Sequence, residues 1–305
     1  MPTPSSSPSQ KHSESTIGLF FALAAFTFWG LCPIYFKAVS AVPALEVLSH
    51  RILWSVLLLA ALISVARQWP LTLGILRDRK KLKLLLVSAI LIAINWLTFI
   101  WAVSNERILD TSLGYFINPL VNVLLGMVFL QERLNRGQTL ALLLGLAAVC
   151  YQIMVMGSIP LVALILACSF GFYGLVRKKV SVASVPGLAI ETLLLLPLCL
   201  GYLGYLALNQ QSNFSGQTPD TALLLALAGV VTTLPLVWFN SAATRLPLST
   251  IGFIQYLGPS IAFMLAVFLY DEPFNREKLI VFALIWMALV VFSLDAWQQQ
   301  RRRNL

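Results

Sequence analysis

An all-α membrane protein, with ten transmembrane helices in two inverted five-helix repeats, is the fold class this sequence predicts. Three observations carry it: a composition too apolar for a water-soluble core, ten apolar runs of membrane-crossing length, and a resemblance between the two halves at a spacing near 140 residues. Of 305 residues, 59% are hydrophobic and 11% charged, with a mean hydropathy of +0.84. Soluble domains carry roughly 25% charged residues. A crossing takes about 20 mostly apolar residues. Between the apolar runs no stretch is long enough for a separate soluble domain.

Taken in order, residues 1–16 are rich in Ser and Pro and read as a disordered cytoplasmic tail. The apolar run 17–36 lacks a small-x-small cleavage site, so it is an uncleaved first span. Further spans are expected at 45–66, 83–104, 109–130, 138–156, 158–176, 187–208, 222–243, 248–270 and 278–297. Residues 138–176 carry no charge. One helix of that length would reach about 58 Å, twice a hydrocarbon core of about 30 Å. The chain must fold back, and Gly157-Ser158-Ile159-Pro160 supplies the turn. A basic cytoplasmic tail occupies 298–305, so the repeats are 17–156 and 157–297.

Placing the N-terminus in the cytoplasm puts sixteen Lys and Arg on that side and four on the other, with Arg51 inside a span. This follows the positive-inside rule and puts both termini in the cytoplasm, with 209–221 as an external loop. The net charge of +9 is then a matter of topology and of anionic lipid, and calls for no nucleic-acid partner. Cys32, Cys150, Cys168 and Cys199 stand singly in apolar runs, without metal or redox spacing. Asn213-Phe214-Ser215 forms a glycosylation sequon, a short pattern given little weight.

Pro119, Glu132, Asn135 and Arg136 recur 140 residues later as Pro259, Glu272, Asn275 and Arg276. Thr111-Ser112-Leu113-Gly114-Tyr115 echoes Ser249-Thr250-Ile251-Gly252-Phe253 at a spacing of 138, and Phe28-Trp29-Gly30-Leu31 echoes Phe172-Tyr173-Gly174-Leu175 at 144. Five helices per half is an odd number, so the second half enters the membrane inverted. Many secondary transporters are built this way, with substrate held between the halves near the midplane.

Polar groups inside the spans mark candidate sites. A central arginine costs about 2.5 to 3.5 kcal/mol on insertion scales, so Arg51 should face protein or a wet cavity. Asn95, Trp96, Tyr115, Asn118, Thr233, Gln255 and Tyr256 approach the middle third of their helices and, with Arg51, form a candidate substrate pathway. Glu46 and His50 are four apart on one helical face, and Glu191 lies near the start of the helix equivalent to theirs. These three are candidates for proton coupling. Pro119 and Pro259 should kink equivalent helices near their middles. No GxxxxGK[ST] phosphate loop and no HExxH spacing occurs, so neither a nucleotide cofactor nor a metal is expected. A homodimer remains open, although no two glycines are four apart to form a packing seam.

The segments His50–Ser55, Gly114–Asn122, Phe172–Lys179 and Thr250–Tyr256 resemble the RarD subgroup of the EamA family, in the drug/metabolite transporter superfamily. The resemblance covers nearly all of 17–297. It implies ten helices in inverted halves and a bacterial inner-membrane location; Glu132, Gln138 and Gly145 fit the family's junction between the fourth and fifth helices. It also implies a secondary transporter, an exporter of small metabolites or amphipathic drugs. The rival readings are an intramembrane enzyme and a non-transporting receptor or scaffold. An enzyme would need more than one acid and one His on a face, and a scaffold gives no reason for inverted halves.

Overall fold

In a hydrocarbon solvent a chain must satisfy its backbone polar groups internally, which these apolar runs do as helices. The computed structural model describes residues 8–130, 134, 136–216, 219–243, 245–246 and 254–303. Its helices are α1 (Pro8–Ala38), α2 (Ala44–Val65), α3 (Trp69–Arg77), α4 (Arg79–Ser104), α5 (Ile108–Leu130) and α6 (Arg136–Met156). They continue as α7 (Leu161–Val180), α8 (Ser184–Leu208), α9 (Asn213–Gly216), α10 (Pro219–Ala243), α11 (Leu257–Met264) and α12 (Arg276–Arg303). A π-helical turn, Leu265–Leu269, prolongs α11. Eight of these are long and apolar enough to cross a membrane, and the shorter apolar stretches Leu161–Arg177 and Leu257–Leu269 supply the other two crossings.

The boundaries have local causes. Asp78 accepts the amides of Lys80 and Lys81 at 3.0 and 3.2 Å and so starts α4. That bonding, Lys81 first, holds its carboxyl below the usual range. Gly157, with φ of 63°, makes the α6–α7 turn where the sequence places it. Three features depart from expectation. Helix α1 runs back to Pro8, inside the segment expected to be disordered, because a proline suits the first helical position and the established helix extends toward it. Helices α3 and α9 are short and carry no membrane-length apolar run, so hydropathy does not mark them. Pro119 lies inside α5 as expected, but Pro259 sits in the first turn of α11, after a break at Gln255–Tyr256, where its missing N–H leaves no bond unmade.

The two repeats interlock rather than stand side by side. Helix α7 packs against α4 and α5, and its repeat equivalent α1 packs against α10 and α11. The pairs α2–α8, α5–α11 and α6–α12 bring equivalent helices together across the pseudo-twofold. Close crossing requires small residues. A Cβ added at Gly229 would lie 2.6 Å from the backbone of Trp54, where α10 meets α2. At Gly30 it would lie 2.7 Å from Ile261, where α1 meets α11.

Candidate functional site

A cavity of about 380 Å³ lies in the middle of the bundle, bounded by α1, α2, α4, α5, α7, α8, α10 and α11. Seven of the eight pathway candidates line it: Arg51, Asn95, Trp96, Tyr115, Asn118, Thr233 and Gln255. Tyr256 does not. Its ring stacks on Phe116 at 6.5 Å and faces a separate cleft beside Ser260 and Trp286. Gln255 and Tyr256 are adjacent, so the backbone that turns one toward the cavity turns the other away.

Arg51 is 8% exposed and is the most unusual group present. Its Nε donates to Thr232 Oγ1 at 2.7 Å, and that hydroxyl donates in turn to the Ala228 carbonyl at 2.8 Å. The Trp96 ring lies 4.2 Å from the guanidinium carbon and the Phe36 ring 5.5 Å. No carboxylate pairs with Arg51 among the described residues. Asn95 has a structural hold as well as a place in the wall: its amide donates at 3.0 Å to both the Leu166 carbonyl and Ser169 Oγ, tying α4 to α7. The Asn118 amide oxygen and the Thr233 hydroxyl are buried and have no hydrogen-bond partner among the described residues.

The cavity reaches one end of the bundle, where Tyr173, Arg177 and Ser184 form its mouth. Beside that mouth Glu191 is fully buried and accepts from Ser88 Oγ, from Tyr173 Oη at 3.2 Å and from Arg177 at 3.5 Å. Arg51 and Glu191 do not meet.

At the opposite end polar contacts tie the helices together. Tyr35 Oη donates to the Leu224 carbonyl at 2.7 Å, and Lys37 pairs with Glu106 at 3.4 Å. Glu46, also fully buried, accepts the backbone amide and the side-chain amide of Asn213, each at 2.7 Å. His50 is not its hydrogen-bond partner. The imidazole stacks on Phe214 with centroids 4.9 Å apart, and neither ring nitrogen has a hydrogen-bond partner among the described residues. Spacing of four puts Glu46 and His50 on one face, but two converging amides outcompete an imidazole for the carboxylate. The sequon segment is thus a cap over this end, with Asn213 turned inward.

Glu272 was marked in the sequence only as a repeat residue. Its carboxylate accepts the Ile108 amide at 2.6 Å and the Leu109 amide at 2.9 Å, capping α5 from the opposite repeat. Burial raises its carboxyl above the ordinary value, against the two amides that favour the anion. Its repeat equivalent, Glu132, lies outside the described residues. Phe36, Tyr173 and Arg177 also line the cavity without having been singled out. Aromatic residues are too common in these helices to stand out, and Arg177 reads as a loop charge. The usable signal was Arg177 lying one helical turn beyond Tyr173, on the same face.

The EamA-like transporter family model matches the chain twice, over residues 16–154 and 157–294. An uncharacterized transporter of Vibrio cholerae is 52% identical over 288 residues, covering 94% of this chain and 95% of that protein. Protein RarD of Escherichia coli K12 is 49% identical over 288 residues, covering 94% and 97%. A chloramphenicol-sensitive protein RarD of Pseudomonas aeruginosa is 30% identical over 295 residues, covering 94% and 98%. A solved crystal structure, 19% identical with a TM-score of 0.57, covers 94% of this chain and 99% of its own and shares the fold. Ten apolar crossings in interlocked halves, matched twice by one family model and by relatives along nearly their whole length, place this chain in the EamA-like transporter family, as a RarD-type membrane permease.

Proposed function

We propose that the protein is a secondary transporter that exports small metabolites or amphipathic drugs by alternating access, with the central cavity as its substrate site. The carrying observation is one cavity, lined by aromatic and apolar side chains around a few polar ones and bounded by equivalent helices of both repeats, which reaches Ser184 at one end while Asn213 covers Glu46 at the other. Two interlocked inverted halves can exchange those roles, the open end closing as the capped end opens. The charge asymmetry of the loops supports an inner-membrane orientation with cytoplasmic termini. In that orientation the mouth at Arg177 faces the cytoplasm and the Asn213 cap faces outward, as an exporter awaiting substrate requires.

Of the three coupling candidates, Glu191 has the strongest claim. It holds Arg177 at the mouth, so its protonation would release that side chain. Glu46 holds the cap through Asn213, and His50 packs beneath it. Uptake into proteoliposomes, with and without an imposed pH gradient and with chloramphenicol among the solutes, tests the proposal. Solute recovered unchanged inside the vesicles supports carriage. Chemical conversion, or no flux for any solute in either direction, counts against it.

A further inference from the structure

We infer that the cavity takes an organic monoanion, a carboxylate with a flat apolar body, and that Arg51 receives the carboxylate; this deepens the transport reading and rests on it. The first reason is charge. The ionised side chains lining the cavity are Arg51, deep inside, and Arg177, at the mouth, both basic. The acid nearest the mouth, Glu191, is engaged by Arg177, Tyr173 and Ser88 and does not line the cavity. Arg177 is compensated by that carboxylate, so the unpaired charge inside is that of Arg51, which repels a cation and attracts an anion in a medium of low dielectric.

The second reason is the unspent capacity of Arg51. A guanidinium keeps its charge and carries five N–H donors in a planar fork. Here one nitrogen, Nε, is used by Thr232, and the Trp96 and Phe36 rings lie against the group. The terminal nitrogens make no hydrogen bond to a described residue. A charge this buried is expected to find a counter-ion, and no carboxylate among the described residues pairs with it. Two terminal N–H groups suit the two oxygens of a carboxylate.

The third reason is the surroundings. Trp29, Phe36, Trp96, Phe99 and Tyr115 offer ring surface for a flat body, and about 380 Å³ admits a molecule of one or two rings. The unpartnered Thr233 hydroxyl and Asn118 amide oxygen stand on the same walls. The hydroxyl can donate to a second polar group on the ligand, and the amide oxygen can accept from one.

Isothermal titration of the purified full chain in nanodiscs with three probes of matched shape tests this: 3-phenylpropionate, 3-phenylpropanamide and 3-phenylpropylamine. The acid should bind at least about tenfold more tightly than either of the others, the scale of one charge-assisted contact. That preference should vanish in Arg51→Gln and survive, weakened, in Arg51→Lys. Equal binding of the three probes, tighter binding of the amine, or an acid preference intact in Arg51→Gln overturns the inference. The wild-type comparison decides even where a variant fails to fold. Failure here is separable from failure of the transport reading: flux of neutral or cationic solutes without acid preference leaves a transporter of another substrate class. Acid binding with no flux of any solute leaves a binding site without transport.

Discussion

Arg51 and Glu272 show two ways of keeping a charge inside this bundle. Arg51 has one neutral acceptor and two aromatic neighbours in place of a counter-ion, so it contributes little to stability. Replacing a buried charge by an apolar side chain of similar length is often neutral or stabilising. In Arg51→Met the Thr232 hydroxyl keeps its bond to Ala228. The expected melting temperature is therefore at or above wild type, while solute flux falls about tenfold or more; a large loss of stability with flux intact contradicts this. Glu272 is the reverse case. Gln turns an N–H donor group toward one of the two backbone amides, Ile108 and Leu109, that the carboxyl oxygens face, so Glu272→Gln should lower stability by about 1 to 3 kcal/mol. The pH dependence follows from the raised carboxyl. The folded state favours the protonated acid, so this group's contribution is greatest below the unfolded value and declines as pH rises through the folded one. Melting curves of both proteins from about pH 4.5 upward should therefore show the wild-type advantage shrinking. An advantage that grows with pH would refute the assignment.

At the scale of elements, the cap formed by residues 209–216 is held by Asn213 and Phe214. Asn213 holds Glu46 twice, and Phe214 stacks on His50. Asn213→Ala removes the side-chain bond and keeps the backbone one. Amide hydrogen exchange across 209–216 should rise about tenfold, with α2 and α8 protected as before; unchanged exchange means the cap is held by something else. This element also shows where the sequence stopped being legible. Arg51, Asn95, Asn118 and Thr233 could be found because a polar side chain in an apolar helix is an exception that has to be accommodated. The partners of Glu46 and Glu272 lie more than 160 residues away in the chain, on backbone amides and, for Glu46, also on the side chain of Asn213. No periodicity reports them. Short helices α3 and α9, the break at Gln255 and the π-helical turn at Leu265–Leu269 likewise have no apolar signature. Tyr256 stands outside the cavity lining: the sequence reports depth in the membrane but not rotation about the helix after a break.

At the scale of the molecule, the repeat legible in Pro119/Pro259 and Glu132/Glu272 becomes an exchange of packing partners, with α1 on α10 and α11 as α7 is on α4 and α5. The proposed alternating access requires a second arrangement of nearly equal energy, in which the mouth and the cap trade states. Cys32 is the one cysteine among the residues lining the cavity, so it reports access from within. The decisive measurement is labelling of Cys32 by a small impermeant anionic methanethiosulfonate, applied from either face of oriented vesicles, in a chain whose other three cysteines are serine. Wild type should react from the face carrying Ser184 and resist from the face carrying Asn213, and Asn213→Ala should raise reactivity from the latter while lowering it from the former. Cys32 reacting equally from both faces, or in wild type only from the face carrying Asn213, would contradict alternating access through this cavity.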